Sequence, residues 1–226
     1  MKTIAYIVQL EIAGDTAMWT RPDTGDNPPV SYPAPTYSAV KAIFESVLWG
    51  GPAIEIIPLK AEICAPVQFH NYYTNYGGPL RKTTNIKHGD SYQLCATVLI
   101  DVCYRLYAEV VPYKIKGRLP QAAKNWDNAT TSPGGHAYQE IFARRLKRGQ
   151  CFAVPCLGGW REFTPSYFGE FRDDTHVMSD METAVIPSML RQVFSKGYQS
   201  EVAYLYDTDV EITGGVLAYG KGERPC

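Results

Sequence analysis

One histidine lies in a sequence context suited to proton transfer. His136 follows Gly134 and Gly135 at the predicted start of a helix that runs to Arg148. A helix N-terminus favours a neutral imidazole, which is the form that acts as a general base. The two glycines would also let a bound strand approach the backbone closely. A polar residue that merely begins a helix explains the same pattern, and the spacing alone leaves both interpretations open.

The segment around this histidine is strongly basic. Between Lys114 and Arg148 there are eight basic side chains and two acidic ones, a net charge of +6 within a chain whose total is −1. An excess of this size predicts a phosphate-binding surface. Basic side chains also favour the last turn of any helix, so a solvated helix end is the alternative.

No second catalytic pattern accompanies His136. The other three histidines are separated along the chain and are interpreted as structural or surface residues. The six cysteines include no C-x-x-C pair and are predicted to be buried reduced thiols. Zinc-ligand spacing, a phosphate-binding loop and a dinucleotide fingerprint are all missing from the sequence, so we expect neither a metal nor a cofactor.

Hydrophobic periodicity predicts the elements that position these residues. Residues alternate over Ile4–Ile12 as in a strand with one face in the core. A helix follows, with Thr36 as its N-cap and Gly50-Gly51 as its end. Its apolar side comprises Val40, Ile43, Phe44, Val47 and Leu48. Further strands are predicted at Ala53–Ile57, Ala61–Phe69, Tyr92–Val111 (one strand, or two with a break near Asp101), Cys151–Pro155, Val202–Tyr206, Val210–Thr213 and Val216–Tyr219, with an insertion or hairpin over Asn71–Asp90.

The order β, α, β, β, α, β predicts an α+β protein with a ferredoxin-like domain, the topology of an RNA-recognition module. We expect this domain to span residues 1–157. A small antiparallel β-rich C-terminal domain is expected over residues 158–226, with a hairpin turn at Thr213-Gly214-Gly215.

Composition supports a globular protein. The chain has 226 residues, of which 45% are hydrophobic and 20% charged, which excludes a disordered, collagenous or coiled-coil protein. No segment has the roughly 18 uncharged apolar residues of a membrane helix. The N-terminus also lacks the features of a signal peptide, so we expect a cytoplasmic protein without membrane partners.

Four segments together resemble the fifth CRISPR-associated (Cas) family, a branch of the RAMP superfamily, in the "d" variant of subtype I-C systems. They are Ser31–Val47, Arg144–Phe152, Gly158–Phe163 and Val202–Asp207. The resemblance implies a protein that binds CRISPR repeat RNA, cuts its precursor without a metal, and stays on the 5′ handle beside other subunits of a surveillance complex. Lys41, Arg144, Arg145 and Arg148 are then the predicted RNA contacts.

The resemblance also implies a catalytic set, namely a tyrosine just before the first-helix tryptophan and a Lys-His pair at the start of the second helix. His136 matches the histidine, whereas Leu48 and Gly135 occupy the tyrosine and lysine positions. Candidate substitutes are Lys124 or Arg144 for the cation and Tyr37 or Tyr138 for the second proton-transfer group.

Three hypotheses follow. The first is a nuclease that processes guide RNA with His136 as its proton-transfer residue. The second is a non-cutting scaffold that only grips the RNA handle, for which Leu48 and Gly135 argue. The third is a nucleic-acid-binding protein with the fold alone in common, whose ligand is duplex DNA.

Overall fold

The computed structural model describes residues 5–24, 28–50, 54–76, 83–89, 92–112, 134–158, 163–194 and 202–220. One antiparallel sheet dominates this mixed α/β structure. Its strands lie in the order β5-β1-β4-β2-β8-β7-β6, and β3 pairs with the N-terminal half of β4. The strands are β1 (Tyr6–Ala17), β2 (Ile54–Ile63), β3 (Gln68–Tyr76), β4 (Tyr92–Pro112), β5 (Tyr167–Gly169), β6 (Ala184–Phe194), β7 (Val202–Thr213) and β8 (Val216–Ala218). The helices are α1 (Tyr37–Val47), the short α2 (Thr83–Lys87) and α3 (Gly134–Lys147). Within the described ranges, no helix is long and apolar enough to cross a membrane.

The core face predicted for the first strand is confirmed, but the other face is not left to solvent throughout, because Glu11 is buried as well. Val8, Leu10 and Ile12 are buried beneath the helices, and β1 runs on to Ala17, further than predicted. Its partner β4 covers the full length of β1 from Tyr6 opposite Val110 to Ala17 opposite Leu99.

The first helix forms as predicted but ends earlier. The Thr36 hydroxyl accepts a hydrogen bond from the Ala39 backbone N–H at 3.3 Å, which caps the N-terminus. The predicted apolar residues are buried, including Leu48, but the backbone of Leu48 is already extended. The helix therefore ends before the glycines that were expected to end it.

Two predictions for the middle of the chain were wrong. Strand β2 continues through Pro58, where the expected interruption is only a register shift between Pro58 and Lys60, a place where a sheet tolerates proline. The predicted strand Ala61–Phe69 is divided between β2 and β3. For Asn71–Asp90, where an insertion or a hairpin was predicted, the described residues show the hairpin: β3 pairs antiparallel with β4 up to Tyr76 opposite Tyr92, and the short α2 lies between the two strands in the chain.

Strand β4 decides between the two alternatives for Tyr92–Val111. It is one strand of 21 residues, and the break near Asp101 is a single residue with a positive φ of 52°. Aspartate tolerates this left-handed conformation better than most residues, and the pairing with β1 continues on both sides of it, so the strand does not end there.

The predicted strand Cys151–Pro155 is wrong. This segment is irregular because its amides at Phe152 and Ala153 bond to the Ser46 carbonyl at the end of α1 instead of to a strand. The place beside β1 is taken by β5. Trp49, two residues after the end of α1, is 59% exposed.

The C-terminal strands extend the same sheet. Gly214 and Gly215, both with positive φ, form the predicted turn, and β8 pairs with both β7 and β2. Strand β6 was missed because its sequence contains Pro187 and Arg191 and does not alternate cleanly, yet it pairs with β7 along its length.

Candidate RNA-binding and catalytic site

The exposed surface of α3 carries the predicted histidine and one of the predicted cations, and a second cation follows its last residue. His136, Glu140 and Arg144 follow one another at intervals of four residues and are exposed, as is Arg148 just beyond the helix. Neighbours in this series lie side by side on a helix, and His136 and Arg144 are about 12 Å apart along its axis and about 80° apart around it. The opposite side of α3 is anchored in the core by three apolar residues, Tyr138, Phe142 and Leu146.

The imidazole of His136 lies beside a carboxylate. Its Nε2 is 3.2 Å from Oε1 of Glu140, and its side chain is 46% exposed. In the neutral tautomer that carries its proton on Nε2, toward the carboxylate, Nδ1 is the proton acceptor. The pair can therefore present a general base to solvent.

Gly135, immediately before this histidine, is in close contact with Tyr6 of β1. A Cβ atom at position 135 would lie 2.2 Å from Cδ2 of the Tyr6 ring. The ring of Tyr6 therefore fills the space that any side chain at position 135 would need. A lysine at this position is incompatible with the present packing unless Tyr6 moves.

The four predicted cations fall into two groups. Arg144 and Arg148 have exposed side chains for which the described residues show no ion pair. In contrast, the Arg145 guanidinium donates to the Val47 carbonyl at 3.0 Å and ties α3 to α1. Lys41 lies 3.7 Å from a carboxylate oxygen of Glu55. The structure therefore leaves Arg144 and Arg148 exposed on the same element as His136 or just beyond it, and gives Arg145 and Lys41 protein partners.

The tyrosines considered as substitutes belong to the core. Tyr138 is fully buried, and its hydroxyl donates a hydrogen bond to the Leu48 carbonyl. Burial raises the pKa of Tyr138 well above its ordinary value. Tyr37 is buried as well, with the Arg191 guanidinium 4.1 Å from its ring centre. Neither hydroxyl is placed to reach a bound RNA. Lys124 lies outside the described residues.

A buried carboxylate was missed in the sequence because its position predicts solvent exposure. Glu11 lies on the face of β1 opposite Leu10 and Ile12, yet it is fully buried. The segment around β5 covers this face of the sheet. Arg172 donates to Glu11 from Nε at 2.6 Å and from its backbone N–H at 3.1 Å, and Arg105 and Thr175 also donate to it.

The remaining predicted chemistry is sparse. The five described cysteines are free, but only Cys103 is fully buried, so the prediction of buried thiols was too broad. In the described part of the chain, no three His, Cys, Asp or Glu side chains cluster as metal ligands do.

Three comparisons with known proteins bear on this site. A family model described as CRISPR-associated protein (Cas_Cas5), in its Cas5d form, matches residues 7–167. A relative from Mannheimia succiniciproducens, named CRISPR pre-crRNA endoribonuclease Cas5d, is 30% identical over 224 residues, with 92% of this chain and 87% of the relative covered.

Two solved structures share the fold. One, titled as a CRISPR-associated protein, has a TM-score of 0.64 at 15% identity and covers 95% of this chain and 91% of its own. The other, a functionally uncharacterized protein from Streptococcus mutans, has a TM-score of 0.63 at 16% identity and covers 95% and 92%. The family resemblance is thereby confirmed, and the two structures support the mixed α/β architecture.

Proposed function

Because the chain belongs to the CRISPR-associated Cas5 family, in its Cas5d form, we propose that it binds CRISPR repeat RNA and cuts the precursor of the guide. After cutting, it stays on the 5′ handle as a subunit of the surveillance complex, in the cytoplasm where the transcript is made. The relative's name, a pre-crRNA endoribonuclease, supports the activity. The single structural observation that carries the proposal is the exposure of His136, Arg144 and Arg148 along α3 and just after its last residue.

The proposed reaction needs only groups of the RNA, the protein and solvent water. His136 takes the proton of the 2′-hydroxyl beside the scissile phosphate. The 2′-oxygen then bonds to phosphorus while the bond to the 5′-oxygen breaks; that oxygen takes up a proton from water, and the imidazolium of His136 returns its proton to water. The products are a 2′,3′-cyclic phosphate and a 5′-hydroxyl. Glu140 orients the imidazole, and Arg144, about two turns beyond His136, offsets the charge that builds up on the phosphate.

The cations of α3 give the RNA a path along the helix. Arg144 and Arg148 are proposed as direct phosphate contacts. Arg145 and Lys41 are proposed as secondary contacts, because each would have to loosen a protein partner to reach the RNA.

We also propose the domain division 1–157 and 158–226, with a ferredoxin-like first domain. The order β5-β1-β4-β2, antiparallel throughout, supports it, with α1 and α3 packed on one face. In this arrangement the sheet of the first domain has four strands, of which β5 (Tyr167–Gly169) is contributed by the segment that follows the proposed boundary. The second domain would consist of the β6–β7–β8 strands.

The test is incubation of the protein with end-labelled repeat RNA in EDTA, beside a scrambled hairpin of equal charge. His136→Ala is compared with His70→Ala, which removes another exposed histidine. A single cut in the repeat that only His136→Ala abolishes is the expected result, since loss of a general base costs about 10²–10⁴-fold in rate. Absence of any preference for the repeat would refute the proposal.

The second candidate is a scaffold that grips the handle without cutting. Gly135 favours it, because the Tyr6 ring leaves no space there for a second catalytic side chain. Tight repeat binding with no cut in EDTA would select this candidate. Duplex DNA that outcompetes repeat RNA would select the third, in which only the fold is shared.

A further inference from the structure

A cavity whose lining includes no residue of α3 lies between three separate parts of the chain. It has a volume of about 620 Å³ and is bounded by residues 21–23 and 30–33, which form the loop wall, by Phe69 of β3, and by Val185–Ser188 and Tyr206 of the β6–β7 pair. The cavity therefore lies between the two domains proposed above. Clefts of this size and position are where proteins most often bind small or flat ligands.

The wall formed by the loop is fixed before any ligand arrives. The Tyr32 hydroxyl donates to the Ser188 carbonyl at 3.0 Å, and the Leu190 backbone N–H donates to that hydroxyl at 3.3 Å. The Ser31 backbone N–H bonds to the Thr97 carbonyl at 2.9 Å. The loop is thereby tied to β6 on one side and to β4 on the other.

Two aromatic rings at the cavity are left open to solvent. Phe69 is 51% exposed and Tyr206 is 46% exposed, although Phe69 stands opposite the buried Leu99 and Tyr206 opposite the half-buried Leu190 in the neighbouring strands. Exposed apolar surface of this kind around a cavity marks a binding site. Aromatic faces that solvent can reach are the platforms on which single-stranded RNA stacks its bases.

The polar groups at the rim complement the edge of a base. Arg21 donates to both carboxylate oxygens of Asp23, from Nε at 3.1 Å and from Nη2 at 2.6 Å. The hydrogen bonds from Arg21 hold the pKa of Asp23 below its usual value, so the carboxylate stays an acceptor. Donor and acceptor stand side by side with no net charge, which suits an uncharged base better than a lone phosphate.

We propose that this cavity binds an unpaired nucleobase of the RNA, stacked on Phe69 and Tyr206 and read at its edge by the Arg21–Asp23 pair. The inference rests on the proposed function, since the RNA that enters the cavity is the one that the α3 face holds. It adds a second contact region, on a different part of the sheet, where unpaired RNA is recognised by its bases.

The test measures the affinity of the full chain for repeat RNA in Phe69→Ala and Tyr206→Ala. The matched control is Tyr73→Ala, which removes a ring of β3 that is 57% exposed but does not line the cavity. Loss of one stacking platform is expected to weaken binding about 5- to 150-fold. Phe69→Trp keeps an aromatic ring at this position and should bind the RNA as tightly as wild type. Thermal melting of each variant shows that the fold is intact.

A second readout locates the base directly. Repeat RNA that carries 4-thiouridine in its unpaired region is cross-linked by light, and the modified peptide is identified by mass spectrometry. Cross-links within the cavity lining support the proposal. Equal affinities for all three alanine variants, or cross-links confined to α3, would overturn it while leaving the proposed function intact.

Two further outcomes separate the proposals. If the wild-type chain shows no preference for repeat RNA, the proposed function fails and the cavity proposal fails with it. If Phe69 and Tyr206 are covered only when another protein subunit is added, and RNA affinity never depends on them, the cavity is a protein-docking site and the nucleobase proposal is overturned.

Discussion

Glu11→Gln should strongly destabilise the protein without touching the proposed RNA surface. Glu11 is fully buried and accepts hydrogen bonds from Arg105, Arg172 and Thr175. Glutamine has nearly the same shape, but it lacks the charge, and its amide N–H groups face donors instead of acceptors. The two guanidinium groups then lose their shared counter-ion.

The magnitude follows from the burial of the partners. Removal of one member of a buried ion pair costs about 3–5 kcal/mol. The side chains of Arg105 and Arg172 are 17% and 35% exposed, so water compensates part of the loss. We therefore expect about 3 kcal/mol, which for a chain of this length lowers the melting temperature by about 6–12 °C.

The assay is denaturant unfolding at several pH values. Burial by itself would raise the pKa of Glu11, but hydrogen bonds from Thr175, Arg172 and Arg105 outweigh it and hold the pKa below the usual 4.5. The carboxylate therefore stabilises the native state fully above the unfolded pKa, and this contribution is lost as the pH falls through the lower native pKa. The difference between wild type and Glu11→Gln should accordingly be largest near neutral pH and shrink in acid.

The control is Glu170→Gln, which changes an exposed carboxylate in the segment that covers Glu11. Its free energy of unfolding should stay within about 0.5 kcal/mol of wild type. Two results would refute the reasoning: a Glu11→Gln protein that melts within about 2 °C of wild type at neutral pH, or a difference in stability that grows in acid. A shift of about 2 °C is what a surface substitution produces.

Three other predictions concern α3. Arg144→Ala and Arg148→Ala should each lower the slope of log affinity for repeat RNA against log salt by about one unit, measured by titration at several salt concentrations; an unchanged slope in both would remove this face from the binding surface. Gly135→Ala should lower thermal stability, because its Cβ would meet the Tyr6 ring, and should regain stability when combined with Tyr6→Ala. Tyr138→Phe removes the hydrogen bond to the Leu48 carbonyl and should lower the free energy of unfolding by about 1 kcal/mol in a denaturant series. Cutting and binding of repeat RNA should stay unchanged, and a selective loss of cutting would place this hydroxyl in the reaction.

Local signals in the sequence identified the elements that are formed by neighbouring residues. The N-cap at Thr36 and the apolar side of α1 depend on contacts within a few residues, and both were predicted. The same holds for the Gly214-Gly215 turn, because only glycine takes up its two left-handed conformations at little cost. His136 and the basic end of α3 could also be placed from the sequence, since both belong to the same predicted helix.

Distant pairing decided the rest. Residues 151–155 have the composition of a strand, yet the edge beside β1 goes to β5, because the amides of the earlier segment are already bonded to the end of α1. The alternation in β1 predicts that Glu11 faces water, but a segment about 160 residues later covers it and supplies the partners of its charge. Likewise the ring that fills the space beside Gly135 comes from the other end of the chain. Periodicity and capping depend on residues that are neighbours in the chain, so both can be predicted from the sequence. Burial of a charge and closure of a cavity depend on which distant segment packs against them, and only the tertiary structure decides that.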